Sequence, residues 1–162
     1  MNIRLISQEG VQGFIGCYLE IWRSLKGILP DGYVDDQIRR ASSREFHEKL
    51  SEEASDPNNF FMVAMEEDET IGLAWGNIRE DGSSWLTFLG VKPAHRRKGV
   101  GSSLLTRFIE ESRKQGSHKV SLDTDPHLIP AVRLYESMGF VTEGFARNPY
   151  GLELVIYSKD IA

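Results

Sequence analysis

Apolar and polar residues alternate with two different periods over the first third of the chain. Residues 1–6 alternate with a period of two, which is typical of a short strand. Apolar residues then recur at helical spacing over 11–25 and predict an amphipathic helix. Gly27 and Pro30 end that pattern. A second, weaker helical pattern passes through Ile38, Phe46 and Leu50, so we expect two helices after the first strand.

The middle of the chain reads as three strands. Residues 60–65 are a continuous apolar run, an acidic turn follows at 66–69, and apolar residues alternate again over 71–75. A second polar turn leads into another apolar run at 85–91. Strands joined by short polar turns form an antiparallel meander, which is the arrangement we expect here.

From Val100 the helical period returns, and the last elements alternate between helix and strand. The pattern predicts a helix from Val100 that Gly116 closes, a strand over 120–122, a short helix over 131–138 and two strands over 141–147 and 152–158. The element order is therefore strand, two helices, three strands, helix, strand, helix, two strands. It predicts an α/β fold with one mixed sheet of about seven strands, flanked by about four helices, in which the helical crossover makes the next strand a parallel neighbour.

Composition narrows the class of protein. The 162 residues are 40% hydrophobic and 27% charged, with no linker-like stretch, so we expect a single domain over 1–162. The net charge of −5 argues against non-specific electrostatic binding of nucleic acid. No apolar run suits a signal peptide or a membrane span. We therefore expect a cytoplasmic protein with neither a nucleic-acid nor a membrane partner. Cys17 is the only cysteine, which excludes an internal disulfide and favours a core position over a zinc site or a nucleophile.

The strand at 85–91 runs through a basic segment into the helix that begins at Val100, and we call residues 96–102 the basic turn. The first amides of a helix have no partner within the helix, and the helix dipole is positive at that end, so this arrangement suits a phosphate. Gly99 and Gly101 allow the backbone to approach an anion closely. Leu104 stands where a dinucleotide fingerprint needs a small residue, and the Gly-Lys-Ser/Thr ending of a nucleoside-triphosphatase loop is absent.

Two motifs together carry a resemblance to a known family. The segment Arg96-x-x-Gly99-x-Gly101, between an apolar strand and a helix, resembles the acyl-CoA signature of the GNAT superfamily of N-acetyltransferases. Downstream, residues 131–140 are similar to the second signature of that family, at a suitable separation. The resemblance is strongest over 85–140. It implies a GNAT-like fold, acetyl-CoA as the acyl donor, no metal, and compatibility with a homodimer, since dimers are common in the family.

The resemblance also implies roles for individual residues. The strand at 85–91 should carry a bulge, and its splayed end should pair with the pantetheine arm. The amide of Leu89 would stabilise the charge that develops on the thioester oxygen. Tyr135 would protonate the departing thiolate. The residues expected to bind the cofactor are Leu89, Gly90, Val91, Arg96, Arg97, Lys98, Gly99, Val100, Gly101, Ser102, Ser103 and Tyr135.

Two departures from the family pattern concern the base and one cofactor contact. Trp85 stands where many members have a glutamate, and Leu128 stands where many have an asparagine. An alkylamine of pKa near 10.4 is mostly protonated at pH 7, so a base or a substitute is needed. The candidates are Glu20, Asp123, Asp125, His127 and a water relay.

The expected function is direct transfer of an acetyl group from acetyl-CoA to a primary amine. The alternatives are a non-catalytic acyl-CoA sensor and an enzyme that uses another donor, such as succinyl-CoA. The acceptor should be set by residues 25–59, 123–129 and 147–151, and the acidic composition gives some preference for cationic amines.

Overall fold

The computed structural model describes residues 1–162 and has a seven-stranded sheet covered by helices on both faces. The strands are β1 (Asn2–Leu5), β2 (Asn59–Glu66), β3 (Glu69–Ile78), β4 (Ser84–Val91), β5 (Lys119–Thr124), β6 (Val141–Arg147) and β7 (Glu153–Asp160). The helices are α1 (Val11–Arg23), α2 (Asp31–Ala41), α3 (Arg44–Glu53), α4 (Val100–Lys114) and α5 (Ile129–Ser137). The mixed α/β fold predicted from the sequence is confirmed. No helix combines the length and the apolar character needed to cross a bilayer.

The sheet order is β1-β2-β3-β4-β5-β7-β6. Strands β1 to β4 are antiparallel neighbours, as the predicted meander requires. Strand β5 lies parallel to β4, because helix α4 carries the chain back along the sheet between them. Strand β7 then inserts between β5 and β6, so the last two strands close the far edge of the sheet.

Helices on the two faces bury separate hydrophobic cores. Along β2, Phe60 and Met62 face the core under α4, whereas Phe61 and Val63 face the core under α1. Side chains alternate between the faces of a strand, so a strand buried on both sides needs an unbroken apolar sequence. This explains the continuous run at 60–65. Cys17 lies in the core under α1, and burial raises the pKa of its thiol to about 12, which keeps it protonated and unreactive.

The weak helical pattern predicted as one helix between Pro30 and Asp56 is two helices, α2 and α3, which is a correction to the sequence interpretation. The break falls at Ser42 and Ser43. The Ser43 hydroxyl accepts a hydrogen bond from the amide of Phe46 at 3.2 Å and so caps the start of α3. A serine N-cap favours a new helix start over continuation, and the apolar period alone did not reveal it.

Strands β4 and β5 pair over only three residues and then separate. The pairing covers Ser84 to Leu86. Immediately afterwards β4 is bulged against β3, since Trp75 pairs with Phe88 but Gly76 pairs with Leu86, which leaves Thr87 as the extra residue. A Cβ atom at Gly76 would lie 2.1 Å from the Trp85 carbonyl oxygen, so only glycine fits opposite the bulge. The separation opens a gap in the sheet.

Candidate functional site

The basic turn presents a cluster of free backbone donors. None of the six amides from Arg97 to Ser102 donates a hydrogen bond to a protein acceptor. Arg97 (φ 63°) and Gly99 (φ 80°) both have left-handed backbone conformations, which change the direction of the chain just before α4. Free amides at a helix start form an electropositive site that suits a phosphate or diphosphate.

The three basic side chains of this turn have different surroundings. The Arg96 guanidinium donates to the Val91 carbonyl oxygen at 3.0 Å and to the Ser24 hydroxyl at 2.8 Å, so it ties the turn to the ends of β4 and α1. Arg97 and Lys98 are exposed and form no ion pair within the protein. Arg96 therefore holds the turn in place, and the other two cations are available to an anion.

The splayed end of β4 exposes one edge of its backbone. The Lys92 amide donates a hydrogen bond to the Ile71 carbonyl oxygen at 2.8 Å. This bond fixes the pairing register, and so determines which β4 amides form hydrogen bonds to β3. Because backbone groups alternate in direction along a strand, the amides of Leu89 and Val91 point away from β3 and into the gap. Gly90 has the opposite orientation and belongs to the β3 ladder.

The basic turn, the gap and α5 are adjacent. A Cβ atom placed on Gly101 would lie 3.4 Å from Leu134 Cδ2 and 3.8 Å from Val91 Cγ2, so α4, α5 and β4 meet at that point. Tyr135 is the next residue on α5. The free amides of the turn, the open edge of β4 and the side of α5 that carries Tyr135 are thus brought together around the gap.

Tyr135 is buried, with 5% of its surface exposed, and it lines a cavity together with Leu89. Its hydroxyl forms no hydrogen bond to another protein group. Burial, with a smaller contribution from the charge of Asp123, raises the pKa of Tyr135, so the phenol is protonated at every physiological pH. A hydroxyl on a cavity-lining residue that has no protein partner is suited to a ligand atom.

The cavity has a volume of about 710 Å³ and lies on the α1–α3 side of the gap. Its lining includes residues from α1, α2 and α3, from the bulged part of β4, and from the end of β5. Two of the three segments predicted to border the acceptor, 25–59 and 123–129, contribute to it. No residue of the third segment, 147–151, lines the cavity; Leu152 and Leu154, just after it, do, and Tyr150 contacts Tyr33 with ring centroids 4.8 Å apart.

The candidate bases are not equally placed. Asp123 lines the cavity, its carboxylate forms no hydrogen bond or ion pair, and partial desolvation by the cleft raises its pKa against the opposing charge of Arg79. Asp125 is buried and accepts hydrogen bonds from the His127 ring, at 2.7 Å, and the His127 amide, at 2.8 Å.

The other two candidates lie outside the cavity. Glu20 lies 3.5 Å from the Lys92 ammonium, and 79% of the His127 side chain is exposed. Trp85, at the position where many family members have a glutamate, lies beneath the Arg79 guanidinium at 4.3 Å from its ring centroid. Asp123 is thus the only unpaired carboxylate among the four candidate side chains that borders the cavity beside Tyr135.

The residues present suit a coenzyme A thioester. Free amides match the diphosphate, the open edge of β4 matches the amides of the pantetheine arm, and Leu89 and Tyr135 border the space where a thioester would lie. The backbone supplies most of these contacts.

Sequence and structure comparisons agree with this geometry. The sequence profile of the acetyltransferase (GNAT) family matches residues 16–140. Human N-acetyltransferase 8 is 32% identical over 118 residues, which cover 69% of this chain and 50% of that protein. An uncharacterized N-acetyltransferase, C1271.07c, of Schizosaccharomyces pombe is 36% identical over 106 residues, covering 64% of each chain. The chain spans between 28% and 64% of the length of the curated relatives it matches.

Solved structures share the fold over the whole chain. The PaiA N-acetyltransferase of Thermoplasma acidophilum, in complex with coenzyme A, superposes with a TM-score of 0.81 at 22% identity and covers 99% of both chains. An aminoglycoside 6'-acetyltransferase type Ii superposes with a TM-score of 0.75 at 19% identity and covers 100% of this chain and 98% of that one.

The sequence did not identify the aromatic residues that line the cavity. The helical spacing over 11–25 places Tyr18 and Trp22 in the apolar stripe of α1, yet both also border the cavity, as do aromatic residues of α2, α3, β2, β3 and β4. Spacing along one helix shows which face is apolar, but not whether that face meets another element or an open space. No local signal distinguishes the two.

Proposed function

This chain belongs to the acetyltransferase (GNAT) family, and from that premise we propose that it is an N-acetyltransferase that transfers an acetyl group directly from acetyl-CoA to a primary amine. The observation that carries the proposal is the meeting of the free amides at the start of α4 with a gap in the sheet that leads to Tyr135 and the cavity. One side of that gap suits the donor and the other side offers space for the acceptor.

Acetyl-CoA, when bound, supplies an acetyl group activated as a thioester. The Leu89 amide, directed into the gap, donates a hydrogen bond to the thioester oxygen as negative charge develops on it. Holding the amine beside the thioester supplies much of the remaining acceleration, because a bimolecular encounter becomes an intramolecular one. Direct transfer needs no covalent acyl-enzyme, which agrees with a buried, unreactive Cys17.

Asp123 is our candidate for accepting the proton of the amine. Its carboxylate is unpaired and faces the cavity, and a raised pKa makes it a stronger base than an ordinary aspartate. Asp125 already accepts hydrogen bonds from the amide and the ring of His127, and these bonds hold the loop before α5. This assignment replaces the glutamate that many family members carry at the position of Trp85.

Tyr135 serves the leaving thiolate. Transfer of its proton is uphill, since burial places its pKa above the ordinary value of about 10 and an alkyl thiol lies near 8.5. Its main contribution is a hydrogen bond to the sulfur as the carbon–sulfur bond breaks; Tyr135 keeps its proton, and the released thiolate takes a proton from solvent. We therefore assign it a modest share of the rate.

The proposal is tested by calorimetric titration with acetyl-CoA, followed by measurement of free thiol with a panel of amines. We expect saturable binding and amine-dependent thiol release. Binding without turnover on any amine would favour the sensor alternative, and absence of binding at millimolar acetyl-CoA would exclude both. Competition with succinyl-CoA measures the donor preference. A homodimer and a cytoplasmic location stay predictions from the sequence.

A further inference from the structure

We propose that the acceptor is a primary amine carried on an aromatic or other bulky apolar body. This inference rests on the proposed acetyltransferase function and adds the chemical class of the second substrate. It starts from the side chains that line the cavity on the α1–α3 side of the gap.

Six aromatic side chains form a continuous surface along the cavity, which we call the aromatic wall: Tyr18, Trp22, Tyr33, Phe46, Trp75 and Phe88. Tyr18 stacks on Phe46 with ring centroids 5.8 Å apart, and Trp75 stacks on Phe88 at the same separation. Trp22 contacts Tyr33 edge to face at 5.5 Å. These rings come from α1, α2, α3, β3 and β4, so the wall is fixed by five elements and is not a mobile loop.

Charged side chains also line the cavity beside this wall. Asp123 and Asp125 line it together with Tyr135 and Leu89. Arg40, Lys49 and Glu53, from α2 and α3, line it as well, and Arg40 and Lys49 are exposed. An acceptor in the cavity therefore meets both carboxylates and a continuous set of aromatic rings.

The size of the cavity and its aromatic wall favour one class of acceptor. A volume of about 710 Å³ lies in the range of small-molecule sites and leaves room for one or two rings beyond the reacting amine. An apolar body would displace water from the aromatic wall at no cost in hydrogen bonds. A polyhydroxylated amine, such as an aminoglycoside, would lose hydrogen bonds to water that aromatic rings do not replace. A cationic amine approaching along the wall also gains from the faces of the rings.

The test compares 2-phenylethylamine with ethanolamine, which has the same aminoethyl group but a hydroxyl in place of the phenyl ring. We expect kcat/KM for 2-phenylethylamine to be on the order of 100-fold higher, the ratio that burial of one phenyl ring gives. Equal or higher kcat/KM for ethanolamine or for spermidine would overturn the inference and leave the acetyltransferase function standing.

A binding measurement keeps the test independent of turnover. Trp22 and Trp75 lie in the wall, so titration of the coenzyme A complex with 2-phenylethylamine should change the tryptophan fluorescence saturably, and ethanolamine should not. If no amine were acetylated, a saturable change with 2-phenylethylamine would still support the inference, and its absence up to the solubility limit would overturn it.

A matched pair of variants locates the preference. Tyr33→Ser removes one ring of the wall at its half-buried rim, and we expect it to reduce the preference for 2-phenylethylamine about tenfold with unchanged affinity for acetyl-CoA. Tyr150→Ser removes the neighbouring ring, which contacts Tyr33 but does not line the cavity. An equal loss in both variants would show that packing at α2, and not the wall, sets the preference, and would overturn the assignment.

Discussion

The proposed donor and acceptor halves of the site are built from different groups of the chain. At the basic turn and along the splayed end of β4, the proposed contacts are backbone amides fixed by the start of α4 and by a bulge. In the cavity, the surface is made of side chains contributed by α1, α2, α3, β3 and β4. A backbone site demands glycines at fixed positions and is visible as a motif, whereas a side-chain surface assembled from distant segments leaves no motif.

The largest expected effect on kcat comes from removing the hydrogen bond between the Leu89 amide and the thioester oxygen. This change tests whether the backbone supplies the contacts of the donor half. Replacing the Leu89 amide by an ester, through semisynthesis with the α-hydroxy acid, should reduce kcat about 10²–10³-fold, because one pre-aligned donor to developing charge is lost. The same replacement at Val91, whose amide also points into the gap, is the control. Comparable losses in kcat at both positions would contradict the assignment to Leu89.

The next effect concerns Asp123, the residue of the acceptor half that we expect to accept the proton of the amine. Asp123→Asn should lower kcat/KM on the order of 10²-fold at pH 7. In the parent protein, kcat/KM should fall as the pH decreases through a pKa raised above the usual range of an aspartate, because the protonated carboxyl cannot accept a proton. This fall in kcat/KM at low pH, the acid limb of the pH profile, should disappear in the variant.

Stability separates a catalytic role of Asp123 from a structural one. A pKa raised in the folded state means that ionisation destabilises the fold as the pH rises through that pKa. Asp123→Asn should therefore leave the Tm at pH 7 unchanged or higher. Asp125→Asn, which weakens the contacts with His127, should lower the Tm and retain the acid limb. A fall in the Tm of Asp123→Asn would indicate a structural role.

Tyr135 lies where the two halves meet, and its removal should have a smaller effect. Tyr135→Phe should reduce kcat about tenfold with little change in the Kd for acetyl-CoA, because the hydroxyl acts on the leaving sulfur and its raised pKa limits full proton transfer. The control is Tyr157→Phe, whose ring lies 6.2 Å from that of Tyr135 and outside the cavity. Equal kcat for Tyr135→Phe and the parent protein would remove the hydroxyl from the mechanism.

A glycine pair tests whether the basic turn depends on backbone direction. Gly99→Ala and Gly116→Ala each place a Cβ in open space at a φ near 80–86°, at opposite ends of α4. Both should lower the free energy of unfolding by roughly 1 kcal/mol, the cost of a left-handed non-glycine residue. Only Gly99→Ala should weaken acetyl-CoA binding, about fivefold, because it alone redirects the free amides. Similar Kd values in the two variants would argue against an amide cradle.

The smallest effect should come from a basic side chain of the same turn. Arg97→Ala should raise the Kd for acetyl-CoA about twofold to fivefold, and the difference should shrink at high salt, since an exposed cation adds little to an anion already held by amides. Arg107→Ala, in the middle of α4, should leave the Kd unchanged. A loss in affinity larger than that of Gly99→Ala would show that side chains, and not amides, bind the phosphates.

The sequence by itself determined most of the fold and the location of the proposed donor half. Alternation, helical spacing and turn residues predicted the strands, four of the five helices and the parallel crossover, because these depend on local backbone preference and on one buried face per element. The Gly99-x-Gly101 motif marked the start of α4 because a left-handed turn before free helix amides imposes its residues locally.

Only the tertiary structure brought together the residues of the proposed acceptor half. It placed Tyr18, Tyr33 and Phe88 along one cavity, left the Asp123 carboxylate unpaired beside Tyr135, and turned the Arg96 side chain back onto β4. Each of these outcomes depends on which segments meet across the sheet. The periodicity of a segment does not show which distant residues it will contact. The gap itself arises because β4 and β5 stop pairing after Leu86, a consequence of the bulge and of Gly76 that only the packed sheet makes visible.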